Sequence, residues 1–242
     1  MYDKINLFVI STGKYNNFVP EFMESVFQMF FAGYRLHIWL FTDRIYDYTI
    51  PDEYFEKDED FQFTPVYVPK LPWPLPTLLR YHIFERIMPL IELGSYIFYS
   101  DVDMKFIKPV GKDIISPFTV VKHFAYLSCN KTQILDKFET NPDSTAFVDP
   151  LCRPVYHCGG FWGGHESIIN RLIPDMIEMI NKDLSKHYIA KWEDESYLNS
   201  WLCNNPPFLT LPPNFILQTG CGLTGNTILD YAGNVNFKDW RD

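Results

Sequence analysis

Apolar positions along the chain fall into two alternating rhythms. Asn6–Thr12 (NLFVIST) is apolar at four consecutive positions, the pattern of a strand buried on both faces. Gly13-Lys14-Tyr15 turns the chain. From Pro20 to Phe31, apolar residues stand at 22, 23, 26, 27, 30 and 31. That is a helical period with proline in its first turn and Gly33 as its stop. Arg35–Asp43 (RLHIWLFTD) predicts a second strand, so strand, helix and strand imply a parallel pair with a right-handed crossover. Acidic Asp52–Asp60 reads as a solvated loop or short helix, and Pro65–Pro69 as a third, short strand. Pro69, Pro72, Pro74 and Pro76 then interrupt the chain around Trp73. A helix is expected from Thr77 to Leu93, with Leu79, Ile83, Ile87 and Leu90 on one face and Gly94 ending it. Ser95–Asp103 (SYIFYSDVD) predicts a strongly apolar strand that ends in two aspartates.

The second half is less regular. Thr119–Leu127 predicts a strand, and Glu139–Pro154, with Pro142, Pro150 and Pro154, a loop. Four glycines (159, 160, 163 and 164) surround Phe161-Trp162. They imply a ligand approaching the backbone or a tight strand–turn packing device. Leu172–Leu184 is an amphipathic helix that aligns Leu172, Met176, Ile177, Ile180 and Leu184, and Glu195–Cys203 is another. From Gly220 the tail is rich in Gly and Asn. With no repeat or linker, the chain reads as one α/β domain. Residues 1–110 read as a nucleotide-type half and 111–242 as a variable half, around an open mixed sheet with helices on both faces. Ligands in such sheets bind beyond the carboxyl ends of the strands.

Composition excludes several classes. Hydrophobic residues make up 47% and charged residues 21%, which rules out disorder. The net charge is −9, from 21 basic and 30 acidic residues, so no nucleic-acid partner is expected; such binding rests on neutralising phosphates. The N-terminal apolar run is too short for a signal segment or a membrane span, and the chain reads as soluble and cytoplasmic. Five cysteines without a C-x-x-C pair read as reduced thiols, with Cys158 packing as a small apolar residue. Aromatic residues reach 17%, enough for a core and for stacking on flat sugar or base faces alike.

Two acidic motifs carry the candidate chemistry. Asp101 and Asp103 at a strand's end share one face, and their oxygens suit Mn²⁺ or Mg²⁺ on a diphosphate. Solvated acids at a turn are the plainer alternative. The aspartyl-phosphatase pattern is set aside, since Lys105 stands where that motif carries Thr or Val. In Trp192-Glu193-Asp194-Glu195-Ser196, Asp194 reads as a helix N-cap and Glu195 as a first-turn residue that the helix end keeps ionised. Such a carboxylate suits a nucleophile or a stabiliser of positive charge; an ordinary capped helix with surface acids has the same sequence. Trp192 offers a face for a sugar ring. Arg80 could bridge a carboxylate and a substrate or serve as a surface cation, and His123 reads as a hydrogen-bonding pocket residue. The glycines lack the G-x-G-x-x-G spacing of a dinucleotide site.

Taken in order, NLFVISTGKYNNFVPEFMESVFQMFFAGYRLHIWLFTD, YIFYSDVDMKFIKPVG, YHCGGFWGGHES and WEDESYLNSWL resemble the retaining α-1,3-galactosyl- and N-acetylgalactosaminyltransferases, the family of the histo-blood-group A and B enzymes. The resemblance runs from about Asn6 to Leu211. It implies a GT-A-type fold and a UDP-sugar donor, with residues 1–110 as the nucleotide-sugar half and 111–242 as the acceptor half. Ile10, Ser11, Thr12 and Tyr15 would cradle uridine, with Val102 near the ribose. Asp101 and Asp103 would hold Mn²⁺, or Mg²⁺, on the diphosphate. Arg80, Gly159, Gly160 and Asp194 would line the donor sugar, and His123 and Trp192 would face the acceptor, a β-galactoside or fucosylated glycan. Glu195 matches the catalytic glutamate. Many bacterial members carry Asn in place of the two acids and work without metal; this chain keeps both, which implies metal dependence. The animal enzymes' anchor and stem have no counterpart here, which suits a bacterial or phage homologue. Residues 124–142 depart from the pattern, and the basic tail is reduced to Lys238 and Arg241. Cys158 and Gly160 match the positions that tune donor choice, and the space at Gly160 favours UDP-N-acetylgalactosamine over UDP-galactose. A UDP-sugar- or glycan-binding module without transfer activity is the alternative reading.

Overall fold

A computed structural model describes residues 4–48, 51, 54, 61–151, 155–218 and 229–231. Strand β1 (Lys4–Ser11) leads through a 3₁₀ turn to helix α1 (Val19–Met29), then to β2 (Arg35–Thr42) and β3 (Gln62–Tyr67). Short helices α2 (Leu75–Leu78) and α3 (Arg80–Glu85) precede β4 (Tyr96–Ser100), β5 (Met104–Phe106) and β6 (Phe118–Lys122). Next come α4 (Lys131–Leu135), β7 (His157–His165) and α5 (Glu166–Leu184). The chain continues through α6 (Glu193–Asn204), β8 (Leu209–Leu211), β9 (Ile216–Gln218) and β10 (Leu229–Tyr231). The acidic stretch 52–60, and the tail with Lys238 and Arg241, lie outside the described residues apart from Tyr54 and Leu229–Tyr231.

The main sheet runs β3-β2-β1-β4-β7-β6-β8, and β5-β10-β9 form a smaller one. β1 pairs in parallel with both β2 and β4, while β7 lies antiparallel to β4 and β6. This is the mixed α/β sheet expected. Alternation along β1 explains its two covers. Ile5, Leu7 and Val9 pack toward α1 with Phe22, Met23 and Val26; Phe8 faces the opposite core, with Phe84, Trp162, Leu172 and Met176. Chain order reverses between β1 and β4, which opens a crevice at the carboxyl ends there.

Three local expectations change. The helix expected over 77–93 is broken into α2, α3 and a 3₁₀ turn at Met88–Leu90. Its buried apolar residues are Leu78, Tyr81, Phe84 and, as expected, Ile87; Leu79 and Ile83 are half-buried and Leu90 is exposed. Pro76 suits only a helix's first turn, and Pro89 has no N–H to continue one. Thr119–Leu127 is a strand only to Lys122, after which Phe124–Leu127 forms a 3₁₀ turn. The glycine cluster is a strand at the sheet's centre, and none of its glycines has positive φ. Close packing supplies the reason. A Cβ on Gly163 would lie 2.3 Å from the Phe98 ring, and one on Gly164 2.3 Å from the Pro117 carbonyl oxygen.

Candidate active site

β4 ends at Ser100, and the antiparallel β7 begins beside it, pairing Ser100 with Phe161. The two strands therefore deliver Asp101 and Gly159-Gly160 to one sheet edge. Gly159, Gly160 and Phe161 bulge out of the β6–β7 register, which passes from Val120↔Trp162 to Val121↔Cys158. Bulges of this kind re-aim backbone groups next to sites. Here the Gly160 carbonyl accepts from the Asp101 N–H at 2.9 Å, and the Gly159 N–H donates to Glu195 Oε2 at 2.8 Å. A Cβ on Gly159 would meet the Glu195 side chain at 3.2 Å; one on Gly160 would meet Asp101 Oδ2 at 2.7 Å and Met104 Cε at 2.5 Å. The glycine pair is thus the floor between the two acidic motifs.

A cleft of about 370 Å³ opens over this floor. Eight residues singled out in the sequence line it: Arg80, Asp101, His123, Gly159, Gly160, Trp192, Asp194 and Glu195. Cys158 joins them, buried as expected. Thr77, Met104, Phe124, Glu193 and Ile216 complete the wall, and sequence reasoning missed them. Met104 follows the acidic pair directly and Thr77 stands one turn before Arg80, so position relative to the motifs was the available signal.

Arg80 is no surface cation. It is 5% exposed and lies 4.4 Å over the Tyr99 ring. Its Nε is 3.2 Å from Asp194 Oδ2 and donates to the Thr77 carbonyl at 3.1 Å; its Nη1 donates to the Gly159 carbonyl at 3.1 Å and lies 3.7 Å from Asp101 Oδ1. Burial would draw this guanidinium's pKa down, but Asp194, Tyr99 and Asp101 outweigh it and raise it. Asp194 does not cap its helix. Trp192 is the N-cap, without a side-chain capping bond, and Asp194 turns into the protein toward Arg80. Burial pushes its carboxyl up to about 8 against the pull of Arg80.

The carboxylate of Glu195 lies against β7. Its Oε1 accepts from Tyr156 Oη at 2.8 Å, with His123 Nε2 at 3.8 Å. Burial raises the Glu195 pKa, while the Gly159 N–H, the Tyr156 hydroxyl, Lys137 and Arg80 pull it back. His123 Nδ1 accepts from the Ala125 N–H at 3.0 Å, so its proton sits on Nε2. Burial, with Lys137, lowers its pKa to about 3 and keeps the ring neutral. Trp192 is 43% exposed at the rim, with Lys137 Nζ 4.9 Å from its ring.

The acidic pair lies on the turn after β4, not within the strand. Asp101 Oδ1 accepts from the Tyr99 hydroxyl, a partner the sequence did not suggest. Oδ2 faces Gly160 and the cleft, and the side chain is 32% exposed. Burial raises the Asp101 pKa against Arg80 and Tyr99. Asp103 is 7% exposed and is not among the lining residues. No cluster of three or more His, Cys, Asp or Glu suited to a metal occurs among the described residues. Of the two acids only Asp101 lines the cleft; its Oδ2 is an oxygen donor of the kind that suits Mn²⁺ or Mg²⁺.

Ile10, Ser11, Thr12 and Tyr15 lie at the carboxyl end of β1 and the turn beyond it, on the same sheet edge but outside the cleft lining. The turn is braced by residues the sequence did not single out. Asn16 Nδ2 donates to Asp43 Oδ1 at 2.7 Å, the Gly13 N–H donates to the same oxygen at 3.1 Å, and Thr42 Oγ1 donates to Asn16 Oδ1 at 2.9 Å. Val102 packs into the core, 3% exposed.

The mixed seven-stranded sheet with helices is a GT-A-like α/β architecture, and the family match makes the chain a glycosyltransferase. The chain belongs to glycosyltransferase family 6, whose family model matches residues 2–225. It is 32% identical over 209 residues to the O-antigen biosynthesis glycosyltransferase WbnI of Escherichia coli, covering 85% of this chain and 84% of that protein. It is 27% identical over 217 residues to human globoside α-1,3-N-acetylgalactosaminyltransferase 1 and 26% over 231 residues to rat histo-blood group ABO system transferase 1. Each of these matches covers 88% of this chain and 60% of the relative. Among the described residues, no helix is long and apolar enough to cross a membrane.

Proposed function

We propose that this chain transfers N-acetylgalactosamine or galactose from a UDP-sugar to the 3-hydroxyl of a β-galactoside, with the anomeric configuration retained and with Mn²⁺ or Mg²⁺ bound at Asp101 and Asp103. The observation that carries this reading is the convergence of Asp101, Arg80, Asp194, Glu195 and the glycine floor on one cleft. The α-1,3 linkage is supported by the activity named for the globoside relative.

In this reading Asp101 and Asp103 would hold the cation, which would neutralise negative charge on the departing diphosphate. Asp194 accepts hydrogen bonds from donor-sugar hydroxyls, and Arg80 keeps Asp194 and Asp101 in register. The C1–oxygen bond to UDP breaks with its electron pair leaving on UDP. Glu195 either attacks C1 and is released again as a carboxylate when the acceptor hydroxyl displaces it, or stabilises the positive charge developing at C1 while the hydroxyl enters from the leaving-group face; in both cases the hydroxyl's proton passes to the departing diphosphate. His123 Nε2–H donates to the acceptor and Trp192 stacks on its ring. Gly160 puts no side chain between the donor sugar and Asp101, and this supports N-acetylgalactosamine as the donor.

The test is transfer from each UDP-sugar to lactose and fucosyllactose, with the product linkage analysed. Glu195→Gln is expected to lose about 10²–10³ in kcat, the usual cost of one electrostatic contact made in the transition state. Excess EDTA is expected to stop turnover. Full activity of the Gln variant removes Glu195 from its role, and undiminished rates in EDTA remove the metal. A galactose preference in direct donor competition defeats the Gly160 argument.

A further inference from the structure

Oε2 of Glu195 takes a backbone N–H from Gly159; Oε1 takes a buried phenol, Tyr156. Tyr156 is fully buried and meets Phe138 edge-on, with ring centroids 4.9 Å apart. Its own backbone is tied on both sides. Its N–H donates to Tyr126 Oη at 3.0 Å, and its carbonyl accepts from the His123 N–H at 3.0 Å. The phenol therefore has a fixed direction, set by β7 and by the segment after β6, and that direction points at the carboxylate. His123 Nε2, at 3.8 Å from the same oxygen, is beyond hydrogen-bond reach, so the phenol is the side-chain donor that Oε1 uses.

We propose that Tyr156 is a positioning residue for sugar transfer: its hydroxyl and the Gly159 amide together clamp the Glu195 carboxylate in one orientation, with its remaining face turned to the cleft. The inference rests on the reading of Glu195 as the carboxylate of the reaction. A hydrogen bond to an ionised group is made to the charged form and favours it. The need for such help is visible in the surroundings. Arg80 from α3 and Lys137 after α4 favour the anion. Burial and Asp101 after β4 oppose it, and Asp194 on the same helix, Cys158 and His123 face it as neutral groups.

Tyr156→Phe removes only the hydroxyl and leaves the ring packing and both backbone bonds in place. The expected result is a fall in kcat of about tenfold, with the acid limb of the kcat/KM profile moved up by about one pH unit and UDP affinity by calorimetry unchanged within about twofold. Fluorotyrosine at position 156 is a stronger donor and is expected to move the same limb down; it also decides the matter should the Phe variant not fold. A merely structural tyrosine would not shift the limb in opposite directions. If Glu195→Gln abolishes transfer while neither Tyr156 replacement moves kcat or the limb, Tyr156 has no such role and the reading of Glu195 stands. If Glu195→Gln transfers normally, that reading and the inference both fall.

Discussion

Replacing Arg80 by methionine tests the electrostatics of the cleft most directly. The change keeps the length of the stem but removes the donors to the Gly159 and Thr77 carbonyls, at 3.1 Å each, and the pairing with Asp194 at 3.2 Å and Asp101 at 3.7 Å. Where Asp194 is ionised, removing its buried cationic partner costs about 3–5 kcal/mol, because the carboxylate is left uncompensated; where it is protonated, only the hydrogen bonds and the Asp101 pairing are lost. The pH dependence follows from Asp194. Its folded pKa, about 8, lies above the unfolded value near ~3.9, so its contribution is present at low pH and is lost as pH rises. Between those values the native protein and the variant lose it in parallel, since both hold the acid protonated while their unfolded chains ionise it. Above pH 8 the native protein ionises Asp194 against Arg80 and levels off. The variant has no cation there, so its Asp194 pKa is higher still and it continues to lose up to about 1.4 kcal/mol per pH unit. Urea unfolding of both proteins from pH 5 to 9.5, in EDTA so that no cation competes for the carboxylates, reads this out. Curves that stay parallel through pH 8, or a variant as stable as its parent, would refute the argument.

Other consequences are as sharp. The glycines of β7 should separate stability from function: Gly163→Ala, whose Cβ would press on the Phe98 ring and the Ile97 carbonyl, should cost about 1–3 kcal/mol or more in urea unfolding. Gly159→Ala touches the Glu195 side chain instead, and should lower the transfer rate with a smaller change in urea midpoint. His157, with neither ring nitrogen hydrogen-bonded among the described residues, is held by burial and Lys122 at about 4, so it resists protonation when folded and accepts it when unfolded. The native protein should therefore lose stability as pH falls from about 6.5 toward 4, and His157→Gln should gain about 2 kcal/mol relative to it between pH 7 and pH 5. An unchanged difference between those two pH values would mean that His157 is solvated.

Local pattern was a good guide wherever one element reads out its own environment. β1, α1 and β2 follow from apolar runs and a helical period, and their packing on both sides of the sheet follows from the alternation of Ile5, Leu7 and Val9 with Phe8. It was a poor guide where a neighbour decides. Glycine is a weak strand former by itself, yet His157–His165 is the strand between β4 and β6, because Phe98 and Pro117 press where side chains would be. Asp194 has the sequence of a helix cap, but a buried guanidinium across the cleft is a stronger partner than its own helix end.

The order of motifs in the chain was enough to determine the family, the sheet edge that carries the cleft and most of the residues that line it, since these depend on which strand ends in which side chain. What the chain order could not contain was the set of groups held against those residues: Tyr99 on Asp101, Arg80 between two acids, and Tyr156 on Glu195. Arg80 stands 114 positions from Asp194, and Tyr156 stands 39 positions from Glu195, so no local spacing links them. Only the folding of β4, β7 and α6 around one cleft brings these dipoles and charges within bonding distance, and the resulting burial sets which of them carry a proton.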